Sequence, residues 1–194
     1  MADKAVSNER RKELGQLDPF QENLLKAASL AKTYKNQLIL SAGIVVVVAV
    51  VLSGIMYSFQ RAEAQAAVLL KQALEAYAQV DDPEKGYRET EEMFDKLLTE
   101  YANTAAGQQA RLQFAKICYD AAQYDLSYEN YKKAFDLFKD DALMENFILA
   151  SLGHVCLAKK DFEAAETYFL KIENSRHNLL KDEAWYSLAM VYEA

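Results

Sequence analysis

Few residues in this 194-residue chain are of types that do covalent or metal chemistry: two cysteines, two histidines and scattered carboxylates. In an oxidising compartment, Cys118 and Cys156 would invite a disulfide. They stand at equivalent points of a repeat, however. Packed helices lie about 8–10 Å apart, and a bridge needs Cα atoms within about 7 Å. Both cysteines therefore read as small buried hydrophobes. Neither His154 nor His177 has a Cys, His or carboxylate neighbour at ligand spacing, and there is no H-E-x-x-H, so no metal ligand is expected. The carboxylate pairs Glu91-Glu92 and Asp140-Asp141 read as solvated surface. Gly43 and Gly54 sit in an apolar run and the other four glycines are scattered singly, so no phosphate-cradling loop is present. A G-x-S-x-G elbow is also absent. These residues predict no catalytic, cofactor or metal site and a protein that works through its surfaces.

The elements that carry those surfaces are helices. With 2 prolines and 6 glycines, long helices with short connections are favoured over sheets, which need frequent turns. At 52% hydrophobic and 26% charged residues, the chain can bury a core. Its net charge of −7 is unevenly placed: +2 over residues 1–36, zero over 37–58 and −9 over 59–194. An acidic body repels phosphate backbones, so nucleic acid is not the expected partner.

Between Lys35 and Arg61 lie 25 residues without a charge, with LILSAGIVVVVAVVLSGIMYSF (Leu38 to Phe59) at their heart. As a helix this core spans about 33 Å, enough for a hydrocarbon layer of about 30 Å. In lipid the backbone must satisfy its own hydrogen bonds, so the β-branched run Val45–Val48 is helical regardless of propensity. Tyr34, Tyr57 and Phe59 suit the two interfaces. Ala62-Glu63-Ala64 resembles a cleavage site, yet 37 residues precede an apolar run far longer than a signal h-region, which predicts an uncleaved anchor. Lys26, Lys32 and Lys35 face Arg61 and Lys71 across the run, which places the N-terminus in the cytosol and the acidic body outside.

Four segments follow. Residues 1–17 read as a flexible cytosolic tail. Residues 18–36 read as an amphipathic juxtamembrane helix, with Asp18 as N-cap, Pro19 at its first position and Gln21 placed for a capping box. Its stripe of Phe20, Leu24, Ala27, Ala31, Tyr34 and Leu38 suits either a lipid surface or a dimer seam. Residues 37–59 form the transmembrane helix, in which Ala49 and Ser53 are a small-residue pair of the kind that lets two copies approach.

Residues 60–194 repeat. Tyr87, Tyr124 and Phe162 are 37 and 38 residues apart, and so are Phe94, Tyr131 and Phe169; Thr90, Ser127 and Ala165 lie between them. These steps put each set on one helical face. Phe114-Ala115-x-x-Cys118 and Leu152-Gly153-x-x-Cys156 precede the second and third copies by ten residues, and Trp185-x-x-Leu188-Ala189-x-x-Tyr192 closes the chain. A large residue followed by Ala or Gly lets a partner helix approach closely. The pattern predicts an all-α fold, a single transmembrane helix followed by a solenoid of about three and a half helical hairpins. The first hairpin is degenerate, with Thr90 where the other copies carry Ser127 and Ala165 and a turn in which Asp82 caps a helix starting at Pro83. The last helix either caps the stack or expects a partner over Trp185 and Tyr192.

These residues resemble the tetratricopeptide repeat family, whose pattern is W-x2-L-G-x2-Y followed by A-x3-F-x2-A. That resemblance implies a concave groove lined by the first helix of each hairpin, a usual binding face for protein segments. Matched by register, the inward-facing positions are Leu112, Lys116 and Tyr119; Phe147, His154 and Leu157; and Tyr186 and Met190. Leu112 and Leu157 equally suit packing between hairpins. Such a wall suits an extended or unfolded polypeptide. The carboxylate clamp of some family members would fall on Leu112, Lys116, Ser151, Glu183 and Ser187, of which one is basic, so that mode is disfavoured. The layout also resembles the ancillary SecYEG translocon subunit family. That likeness implies a bacterial inner-membrane protein with a periplasmic repeat domain, serving the Sec translocon or envelope chaperones. A structural adaptor in envelope assembly or cell division has the same layout.

Overall fold

A computed structural model describes residues 19–175 and 178–193, with the side chains of residues 19, 21, 22, 26, 31 and 142 excepted. The expected tail over 1–17, the Asp18 cap, the capping role of Gln21 and His177 lie outside what is described. The architecture is all-α. Eight helices are described: α1 (Pro19–Thr33), α2 (Lys35–Ala78), α3 (Pro83–Glu100), α4 (Ala105–Asp120), α5 (Tyr124–Phe138), α6 (Ala142–Ala158), α7 (Phe162–Glu173) and α8 (Lys181–Glu193). The chain divides into two units, one ending at Met56 and the other beginning at Tyr57.

In the first unit the apolar residues from Leu38 onward are exposed without exception. Among the described residues, α2 alone is long and apolar enough to cross a membrane, with a mean hydropathy of 2.8 over its most apolar stretch, none of it buried. Ser53 satisfies its hydroxyl within the helix, donating to the Ala49 carbonyl at 2.7 Å. α2 runs on without a break past residue 59, so one helix supplies both the apolar run and the first helix of the first hairpin.

In the second unit the hairpins are the C-terminal part of α2 with α3, then α4 with α5, then α6 with α7; α8 stands as the first helix of a fourth. Phe94 and Phe169 are fully buried and Tyr131 nearly so, and Thr90, Ser127 and Ala165 are completely enclosed. The small positions exist for close approach. Thr90 returns its hydroxyl to the Gly86 carbonyl at 2.8 Å, and Ser127 donates to the Ala115 carbonyl of the facing helix at 2.8 Å. Both cysteines are free and buried.

The turns explain the degeneracy of the first hairpin. After α4, Ala122 adopts a left-handed backbone (φ 56°) and Gln123 N–H returns to the Cys118 carbonyl. After α6, Lys160 (φ 61°) and Asp161 repeat the arrangement on Cys156. These are Schellman closures, which satisfy the last carbonyls of each helix. The first hairpin instead turns through residues 79–82, where Asp82 accepts from Glu84 and Lys85 N–H as the N-cap of α3. Asp141 has the same role for α6, accepting from Leu143 and Met144 N–H. Asp141 is exposed at the turn, as its reading as solvated surface expects, and it caps because a helix start leaves N–H groups in need of an acceptor.

A longer-range cap fixes α2 to the second hairpin. Both Glu63 carboxylate oxygens accept from the start of α4, Ala105 N–H at 2.7 Å and Ala106 N–H at 3.0 Å. On α8, Trp185 and Tyr192 are exposed, each hydrogen-bonded to α7 through Glu173 and Glu166.

Candidate functional site

The first helices of successive hairpins meet around two cavities. One, of about 490 Å³, lies between α2 and α4, with Leu70, Leu74 and Ala78 facing Ala105, Ala106 and Gln109. The other, of about 380 Å³, is walled by Lys116, Tyr119 and Asp120 of α4, by Phe147, Ala150, Ser151 and His154 of α6, and by Leu180 and Glu183 at the start of α8; Tyr131 of α5 forms its back.

Helical period explains the α6 wall: residues 147, 150, 151 and 154 share one face. Leu180 is presented by a left-handed backbone (φ 64°) just before α8. The loop carrying it is held by the buried amide of Asn146, which donates to the Leu179 carbonyl at 3.0 Å and to Ser175 Oγ at 3.2 Å. The polar groups at the rim are partnered two by two. Lys116 Nζ contacts Asp120 Oδ2 at 2.6 Å, and His154 Nε2 lies 2.9 Å from Glu183 Oε1. Burial raises the Tyr131 and Tyr119 phenols above their ordinary range, so both are neutral donors at physiological pH. The cavity thus has an aromatic and aliphatic interior, three hydroxyls and a rim whose polar groups already have partners.

Four of the eight positions predicted to face the groove meet here: Lys116, Tyr119, Phe147 and His154. Leu112 and Leu157 are half-buried against the hairpin cores, Leu112 against the cluster that includes Tyr131 and Ile148 and Leu157 against the one that includes Leu149 and Phe169. Tyr186 and Met190 are exposed on α8, outside this cavity. Sequence reasoning left Asp120, Tyr131, Ala150 and Leu180 out of the wall. It also gave His154 no carboxylate neighbour, whereas folding brings Glu183 to it from 29 residues away. The α2–α4 cavity was missed because the sequence reading assigned no groove positions to the first helix of the degenerate first hairpin.

Among the described residues no group of three or more His, Cys, Asp or Glu is placed to hold a metal. Burial pushes the Cys118 thiol up to about 12 and the Cys156 thiol up to about 11, the opposite of nucleophile activation.

A sequence model described as a tetratricopeptide repeat-like domain matches residues 31–184, taking in the whole of α2 and the three hairpins and ending in the first turn of α8. No curated protein and no solved structure matches the chain.

Proposed function

The chain belongs to the tetratricopeptide repeat-like family, and from that premise we propose that it is a membrane-tethered, non-enzymatic scaffold that grips extended segments of other polypeptides. The observation that carries this reading is the cavity between α4, α6 and α8. Its volume of about 380 Å³ suits one large side chain, and Phe147, half exposed at its mouth, offers a ring to stack against. Because Lys116 is ion-paired with Asp120 and His154 is hydrogen-bonded to Glu183, the polar groups of the rim already have partners, which suits apolar stretches of varied sequence. The 490 Å³ cavity between α2 and α4 offers a second such hold between first helices.

We read residues 37–59 as the membrane span, residues 18–36 as a juxtamembrane helix and residues 60–194 as the binding domain. The lysines before the span support a cytosolic N-terminus and a periplasmic repeat domain at a bacterial inner membrane. The resemblance to the ancillary SecYEG translocon subunit family supports a place beside protein translocation. Tethering raises the local concentration of groove over membrane-borne clients, so weak grip suffices.

The test is anisotropy of a labelled, reduced and alkylated polypeptide titrated with the full chain in detergent micelles. Phe147→Ser should weaken binding several-fold and Tyr192→Ser, outside the cavity, should not; equal effects would refute the assignment. Co-purification in mild detergent should enrich translocon components. Recovery of cell-wall or outer-membrane machinery instead would replace the translocation role by an adaptor role. Protease added to intact spheroplasts should digest the repeats.

A further inference from the structure

The repeats allow one seam between hairpins to be compared, position by position, with the next. Between the second and third hairpins the seam is closed and apolar: Tyr128 of α5, Leu149 of α6 and Tyr168 of α7 meet, Leu149 is 2% exposed, and the two tyrosine hydroxyls lie 2.8 Å apart. Lys159 and Lys171 cover the rings at 5.4 and 5.3 Å from their centroids. Stepping back one repeat, the same three positions are Glu91 of α3, Arg111 of α4 and Asn130 of α5. There the seam is open, a cleft of about 620 Å³.

Arg111 is half-buried where the next two first helices carry Leu149 and Trp185. Its Nη1 donates to Asn130 Oδ1 at 3.2 Å, and the buried Asn130 in turn donates to the Leu126 carbonyl. Among the described residues no carboxylate lies within ion-pair distance of it. Burial accordingly lowers its pKa, with no neighbouring charge to oppose the effect. A guanidinium carries five N–H donors, and a neutral amide engages one. A partly desolvated cation in the place of a leucine is destabilising unless an anion reaches it.

The opposite wall of the cleft is acidic. Glu91 is engaged by the Tyr87 hydroxyl and Arg88 by Glu84. The carboxylates of Glu92 and Asp95, and Lys133 beside Arg111, form no ion pair among the described residues. The cleft therefore has a cationic floor and an anionic wall, held apart by its width.

We propose that this cleft is a second docking site, taking a partner-protein segment that sets a carboxylate side chain on Arg111 and a nearby basic side chain against Glu92 and Asp95. A planar guanidinium recognises a carboxylate through paired N–H bonds, and the adjacent carboxylates select against purely acidic segments. The site lies between α3, α4 and α5 and shares no lining residue with the cavity of Phe147 and His154, so each is tested independently.

The test uses the full chain, with arginine side chains isotopically labelled, in phosphatidylcholine nanodiscs. The probes are two acetylated and amidated heptapeptides, Ala-Lys-Ala-Glu-Ala-Lys-Ala and its Gln counterpart. The Glu peptide should shift the Arg111 guanidinium resonance saturably and bind at least about tenfold more tightly than the Gln peptide, as a charge-assisted pair requires. Arg111→Leu should abolish that difference while unfolding at an equal or higher temperature, because it restores the hydrophobe of the other repeats. Arg111→Lys, which keeps the charge without the fork, should weaken the Glu peptide several-fold and carries the test if the Leu variant does not fold. Equal binding of the two peptides, or an equal shift with inorganic phosphate alone, would overturn the proposal.

Discussion

Gly153→Ala probes how closely the hairpins depend on small residues. A Cβ at Gly153 would lie 2.6 Å from two ring carbons of Phe169 and 3.0 Å from a third. Phe169 is fully buried, and the His154 ring stands edge-on to it with centroids 5.3 Å apart, so the ring has no space to retreat. Replacing glycine inside a helix would by itself stabilise by about 1 kcal/mol. Overpacking a close core costs about 1–3 kcal/mol, and contacts this far inside van der Waals separation belong at the upper end. The net expectation is a destabilisation of about 2 kcal/mol. Urea unfolding of the full chain in detergent micelles measures it, with far-ultraviolet circular dichroism for the helices and Trp185, the single tryptophan, for α8. The midpoint should fall with an unchanged slope. Adding Phe169→Leu, which removes the clashing ring edge, should recover more than about 1 kcal/mol of the Ala penalty as a non-additive term. A Gly153→Ala protein as stable as the parent, or more stable, would refute the close-packing argument.

Other changes test other links. Glu63→Ala strips the acceptor from Ala105 and Ala106 N–H and should cost about 1 kcal/mol, with faster hydrogen exchange at those two amides. Ala122→Gly and Lys160→Gly relieve left-handed backbones and should each stabilise by up to about 1 kcal/mol in the same titration. The cysteines, with folded values of about 12 and about 11 against the ordinary 9.0, bind their protons more tightly folded than unfolded. Their effect on stability is therefore flat below about pH 8 and negative as pH rises through 9 toward 11, and iodoacetamide at pH 8.5 should label them only after urea is added. Tyr128→Phe removes the hydroxyl contact with Tyr168 and should cost about 1 kcal/mol.

What could be read without a structure was whatever depends on local period. The 37- and 38-residue steps between Phe94, Tyr131 and Phe169 identified the core, because side chains three and four apart must share a helical face and the only large apolar faces available pack on each other. The Asp82-Pro83 cap follows from backbone chemistry over four residues. The length and apolarity of the run over residues 37–59 were likewise plain, as was the all-α architecture with its three and a half hairpins. That α2 continues unbroken into the first hairpin was not plain, since nothing local stops a helix at residue 60.

Only tertiary structure decided which of those faces form a site. Lys116, Tyr119, Phe147 and His154 share one cavity while Leu112 and Leu157 turn into the seams, because small rotations between hairpins accumulate and no repeat register reports them. Glu63 on Ala105, Glu183 beside His154 and the cleft between α3 and Arg111 join residues from separate hairpins. Such pairings are set by how stacked helices offset one another, a property of the assembled solenoid, whereas each hairpin's own helices are set by the spacing of a few side chains along the chain.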